Sequence, residues 1–183
     1  SSRRRIRIRR TSNRINKELD LNFYIMNSHH TVAIGTWEGD KQQSIEYNSS
    51  IAVGIDCPRA KLRVSILLDT IQEYQVRYIF SDEEISEAVN EAGLIIGARG
   101  MAYEGVLQRK PVIVVGEYGF GGLVTPDTLH EQYNNYFRGK INGIKAEYFS
   151  LERLEEEIRR GFALTFQELQ MMSNQTIRFL HNI

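Results

Sequence analysis

Residues 93–126, GLIIGARGMAYEGVLQRKPVIVVGEYGFGGLVTP, constrain this chain more than any other stretch. The apolar run at 94–96 closes in Gly97, and a second run at 112–115 follows Pro111. Both are short and β-branched, as buried parallel strands tend to be. Between them a short helix carries one acid, Glu104, and after them comes a glycine-rich segment with Gly116, Gly119, Gly121 and Gly122. Strand, helix, strand and glycine loop in this order predict a parallel βαβ unit. Its loops gather at the carboxyl ends of the strands, where open α/β sheets take their ligands.

The flanking sequence extends the same pattern. Residues 76–80 read as a strand, and Ser81 with Glu84 three positions on is a capping box. Ile85, Ala88, Val89 and Ala92 then follow at helical spacing, and Gly93 is placed to end that helix. Before them, Leu62, Val64, Ile66, Leu67 and Ile71 are expected to share a helical face. Thr125 and Pro126 are expected to open a further helix, with threonine at the cap and proline in the first turn. Ser150 caps a helix that faces Leu151, Leu154 and Ile158 inward and pairs Glu155 with Arg159 and Glu156 with Arg160. A last helix presents Phe162, Phe166, Leu169, Thr176, Ile177 and Leu180.

Residues 1–60 carry weaker signals. Arg5, Ile6, Arg7, Ile8 and Arg9 alternate as a strand with one polar face would, and apolar runs recur at 23–26, 31–34 and 51–55. The expectation is one α/β domain over 1–183, with its ligand-binding core in 61–183. Strands 76–80, 94–96 and 112–115 should be parallel neighbours in a mainly parallel sheet with helices on both faces.

Lys+Arg and Asp+Glu balance at 23 each, so net charge gives no ground for expecting nucleic acid as a partner. Eight of the basic residues fall within the first 17 positions. A charged strand edge that discourages aggregation accounts for them, and contact with an anionic surface is the alternative. One cysteine, Cys57, has no internal disulfide partner. This fits a reducing compartment, and a cytoplasmic location is expected. No apolar run approaches the roughly 20 residues of a membrane span.

Few residues stand out as carriers of chemistry. Glu104 lies one turn into the helix after Gly97, Ala98, Arg99 and Gly100. A carboxylate there can accept both hydroxyl protons of a ribose, although spacing alone fits a solvated helix glutamate equally. Gly119, Gly121 and Gly122 can leave backbone N–H groups uncovered for a diphosphate, or simply make a flexible surface loop. Arg99, beside Gly100, is the better placed phosphate partner, while Lys110 precedes a strand at its amino end. His29 and His30 lack a metal-ligand cluster and read as loop or strand-end sequence. No metal, cofactor or catalytic residue is assigned.

Residues 92–116 resemble the nucleotide-sugar-binding half of glycosyltransferases with the GT-B fold. In those enzymes a strand of the form AD-apolar-apolar-G precedes a helix of the form E-A-x-A-x-G-x-P-V. Ala92, Gly93, Leu94, Ile95, Ile96 and Gly97 fill the first places, and Glu104 through Pro111 and Val112 fill the second. Residues 135–140, NYFRGK, resemble a short motif of some bacterial members. Arg109 stands where the family usually has glycine. Ile96 stands where retaining members often carry a second glutamate. The resemblance implies a Rossmann-like donor domain in which Glu104 binds the ribose of a nucleoside diphosphate sugar. Arg99, Gly100 and the Gly119, Gly121 and Gly122 segment would lie near its phosphates or sugar. It implies a transferase moving that sugar to a hydroxyl acceptor, with the acceptor-binding domain outside these 183 residues. The alternative is a non-catalytic module holding a nucleotide or sugar phosphate at the same site.

Overall fold

The computed structural model describes residues 32–35, 42–45, 48–140 and 143–182. Strands β1 (Val32–Gly35) and β2 (Gln42–Ile45) pair antiparallel as a small ribbon. The main sheet has five strands: β3 (Ser50–Gly54), β4 (Gln75–Tyr78), β5 (Leu94–Gly97), β6 (Val112–Gly116) and β7 (Gly119–Leu123). Their order is β4-β3-β5-β6-β7, parallel throughout except for the antiparallel β6–β7 pair. The expected arg-rich strand at 5–9 and the histidine pair at 29 and 30 lie outside the described residues.

The helices sort onto both faces because the chain reverses direction across the sheet. From β3, helix α1 (Pro58–Ile71) leads outward to β4. Helix α2 (Ile85–Glu91) then carries the chain back past β3 to β5, and α3 (Arg99–Leu107) continues to β6. Right-handed crossovers running in opposite directions place their helices on opposite faces. Helices α1 and α5 (Leu151–Phe162) accordingly pack together on one face. On the other, α3 packs against α2 and α6 (Phe166–His181). A short helix α4 (Leu129–Asn134) follows the sheet's last strand. Every residue of β5 and β6 is buried, as double coverage requires.

Several local expectations hold. The Glu84 carboxylate accepts from the Ser81 N–H at 3.2 Å and from its hydroxyl at 3.3 Å. Ser150 Oγ accepts from the Arg153 N–H at 3.1 Å, and Leu154 and Ile158 are fully buried. Strands β5 and β6 are parallel neighbours.

Others are corrected. Strand β4 does not adjoin β5, because β3 lies between them, pairing Ile51 with Val76 on one side and with Leu94 on the other. Glycine-rich residues 116–122 do not form an open loop. Glu117 and Tyr118 make a tight turn, and Gly119–Leu123 returns as strand β7. On α1, Leu62 and Ile66 are 62% and 52% exposed, whereas Ala60, Val64, Leu67 and Leu68 are buried. At about 100° per residue, positions 62 and 66 fall on the side opposite 60, 64 and 67. Residues 125–128 form a turn before α4, in which Thr128 Oγ1 accepts from the Thr125 N–H at 2.8 Å. Arg109 holds a left-handed φ of +59° at the end of α3. The N–H groups of Arg109 and Lys110 close back onto Val106 and Gly105 carbonyls at 3.1 and 2.9 Å, the pattern that favours glycine.

Candidate functional site

The direction of the chain reverses between β3 and β5, so the loops leaving their carboxyl ends diverge and open a crevice. A cleft of about 530 Å³ lies there. At its base Gly54 and Gly97 face each other in register at the strand ends, with the Met101 side chain packed against both. A Cβ on Gly97 would stand 2.7 Å from the Gly54 carbonyl oxygen, so no side chain fits between the two strands at this level. Asp56 follows β3, and Phe80, Ser81 and Asp82 follow β4. The third wall is the start of α3, with Arg99, Gly100 and Glu104.

The N-terminus of α3 is built differently from those of α5 and α6. Ser150 and Thr165 cap the latter two with their hydroxyls. Ala98 stands at the α3 cap with no side-chain acceptor, and its first turn holds no acid. The N–H groups of a helix's first turn have no partner within the helix and carry its positive dipole end. A Cβ on Gly100 would meet nothing within 4 Å, so that turn is open to an approaching anion.

Glu104 lies one turn further along the same helix and is half-buried. Its Oε1 accepts from Gln108 Nε2 at 2.6 Å, and that nitrogen also donates to the Ser86 carbonyl at 3.3 Å. The carboxylate is thus oriented from below while Oε2 has no hydrogen bond among the described residues. An oriented carboxylate with a free oxygen can accept from a ligand hydroxyl pair. Arg99 has a left-handed φ of +49° and donates its N–H to the Phe137 carbonyl at 3.0 Å. Its guanidinium reaches out of the cleft to Glu117, 2.9 Å away.

Glu104, Arg99 and Gly100 therefore share one cleft, as their sequence positions suggested. Gly119, Gly121 and Gly122 do not line it. They belong to β7, where other parts of the chain press on their backbone. A Cβ on Gly119 would lie 2.4 Å from the Ile144 carbonyl oxygen. The Gly121 carbonyl accepts from Gln132 Nε2 at 2.8 Å, and Gly122, with φ of +79°, lies beside the Glu157 carboxylate. Lys110 sits at the amino end of β6, away from the cleft. Its ammonium donates to the Asn90 carbonyl at 3.2 Å, and burial pushes its pKa down. Cys57 is half-buried at the start of α1.

Asp56, Phe80, Ser81, Asp82 and Ser86 also line the cleft, and none of them was expected from sequence to belong to the site, Ser81 being read only as a helix cap. Their common signal was position: Asp56 and Phe80 follow closely on strand ends. A smaller cavity of about 170 Å³ lies at the opposite, amino edge of β3 and β4. Its polar groups already satisfy one another, with Arg77 on Glu91 at 3.3 Å and Asn48 Nδ2 on the Glu91 carbonyl at 2.7 Å. Among the described residues no group of His, Cys, Asp and Glu could hold a metal ion, and no helix is long and apolar enough to cross a membrane. No protein-family model, curated protein or solved structure matches this chain.

Proposed function

We propose that the chain is a nucleotide-sugar donor domain of a glycosyltransferase, binding a nucleoside diphosphate sugar in the cleft between β3 and β5. The observation that carries this reading is the sharing of one cleft by Glu104 and the uncapped first turn of α3. Glu104 is five positions beyond Arg99 on the helix, about 7.5 Å of axial rise. An anion at the turn and a hydroxyl pair at the carboxylate are thus held a fixed distance apart on one rigid element. A nucleoside diphosphate presents both groups. The ribose hydroxyls go to Glu104, and the phosphates go to the N–H groups around Gly100 and to Arg99.

Transfer in such a site depends on positioning and on stabilising the leaving diphosphate by backbone N–H groups and a cation. The α3 turn and Arg99 supply those two elements. The group that activates the acceptor belongs to an acceptor-binding domain, and no residue of this chain is assigned to it.

Calorimetric titration with uridine and guanosine diphosphates and their sugar conjugates tests the reading. Glu104→Gln keeps the shape but loses the charge and one acceptor. Charge-assisted hydrogen bonds contribute about 1.5–3 kcal/mol each, so affinity should fall at least ~10-fold with thermal stability unchanged. Glu156→Gln, on the exposed surface of α5, should alter neither. Equal nucleotide affinity in Glu104→Gln and the parent chain would remove Glu104 from the site. Turnover of a nucleotide sugar by the protein joined to its acceptor domain distinguishes a transferase from a non-catalytic binding module.

A further inference from the structure

We infer that Arg99 and Arg138 form a two-armed clamp for the terminal phosphate of a diphosphate, with the Glu117 carboxylate occupying the phosphate's place between them. The ligand class rests on the nucleotide reading above, and the clamp specifies where its far end lies. Glu117 Oε2 is 2.9 Å from Arg99 Nη2, and its Oε1 is 3.1 Å from Arg138 Nε. Two guanidinium groups thus converge on one carboxylate and leave a net positive charge. Guanidinium forks match phosphate oxygens as well as they match a carboxylate.

Arg138 is held in place independently of Glu117. Its Nη1 donates to the Tyr118 hydroxyl at 3.2 Å, and its guanidinium carbon lies 5.8 and 5.4 Å from the ring centroids of Tyr118 and Tyr136. Its Nε is buried and has no hydrogen-bond partner, because the contact with Glu117 lacks the alignment of a hydrogen bond. The backbone around it is fastened to the sheet edge: the Arg99 N–H donates to the Phe137 carbonyl at 3.0 Å, and the Tyr118 N–H to the Arg138 carbonyl at 2.9 Å.

Strain gathers at the same point. Arg99, Tyr136 and Phe137 hold φ angles of +49°, +54° and +52°, a conformation that non-glycine residues adopt at a cost. Such residues cluster where a site requires a particular geometry. Glu117 itself sits on the exposed two-residue turn between β6 and β7, so its carboxylate can rotate away without disturbing a strand. Arg99 begins α3 at the cleft while its guanidinium reaches out to Glu117, so the clamp lies just outside the cleft and is joined to the α3 N-terminus through that one residue.

Inorganic pyrophosphate, titrated calorimetrically into the full chain at fixed salt, reads the clamp without a nucleoside. Glu117→Gln removes the competing charge and should tighten pyrophosphate binding several-fold. Adding Arg138→Ala to that variant should weaken it on the order of 10-fold. Arg138→Lys, which keeps the charge but loses the fork, should fall between the two. Unchanged or weaker binding in Glu117→Gln, or indifference to Arg138→Ala, overturns the clamp and leaves Glu117 as a hairpin latch. Uridine and guanosine lack phosphate and report on Glu104 alone. Glu104-dependent nucleoside binding with a failed clamp leaves the nucleotide reading standing. A working clamp with no Glu104 dependence leaves an anion site and removes the donor reading.

Discussion

The carboxylate of Glu157, on α5, accepts a hydrogen bond from the backbone N–H of Leu123 at 3.0 Å, tying a helix to the edge strand β7. The side chain is only 1% exposed, yet Arg153 and Arg160, each about half-exposed, reach it at 3.0 and 3.3 Å. Gly122 lies directly against it. The buried charge is therefore neutralised from the surface while its other contact goes to the sheet. Glu157→Ala leaves a buried N–H without an acceptor and should destabilise the fold by about 3 kcal/mol. Glu157→Gln keeps an acceptor and should cost less. Urea denaturation of the two variants checks this, and a loss under about 0.5 kcal/mol in Glu157→Ala, the range of an ordinary surface change, would refute it.

Arg109 ends α3 in a conformation that glycine adopts without strain. Replacing it with glycine should therefore stabilise the protein by about 0.5–1 kcal/mol, seen as a higher denaturation midpoint. Gln72, with φ of +54° at the end of α1, should respond in the same direction. A fall in stability for Arg109→Gly would show that its side chain contributes more than its backbone costs.

Gly97 and Gly100 lie three residues apart and should respond oppositely to alanine. A methyl group on Gly97 meets the Gly54 carbonyl at 2.7 Å, and neither paired strand can yield. Gly97→Ala should cost about 1–3 kcal/mol. Gly100→Ala meets no atom and gains helix propensity, so its melting temperature should stay level or rise. The same methyl would stand over the open first turn of α3 and should weaken nucleotide binding. Unaltered affinity in Gly100→Ala would mean that phosphate does not approach there.

Glu84 should make stability depend on acid pH. Donation from the Phe80 N–H, and then from the Ser81 N–H and hydroxyl, holds its carboxyl below the ordinary value of 4.5. A depressed folded-state pKa means that the contribution is complete above the unfolded value and is lost as pH falls through the folded one. The gap in melting temperature between the parent chain and Glu84→Gln should thus be widest above about pH 5 and close as the pH drops further. A gap independent of pH would assign Glu84 a packing role only.

What could be read from the sequence was local. The capping box at Ser81 and Glu84 joins residues three apart, as does the Ser150 cap, so a short window contains both partners. The buried runs of β5 and β6 and the helix between them were legible for the same reason. So was the placement of Glu104, Arg99 and Gly100 around one strand end, since all three follow that strand within a few residues.

Tertiary structure decided the rest. That β3 is central depends on Ile51 pairing with both Leu94 and Val76, and no periodicity within residues 50–54 encodes its neighbours. Of the apolar residues expected on one face of α1, Val64 and Leu67 are buried together with Ala60, whereas Leu62 and Ile66 face outward. The glycines of β7 were ambiguous for a related reason. A sequence reveals that glycine permits close approach but not what approaches. At Gly119 it is the backbone at Ile144, and at Gly122 it is the Glu157 carboxylate. Backbone propensity and capping act through neighbours in the chain and leave their mark there. Sheet order and close backbone packing arise between segments far apart in sequence, where the partner is fixed only once the whole chain has folded.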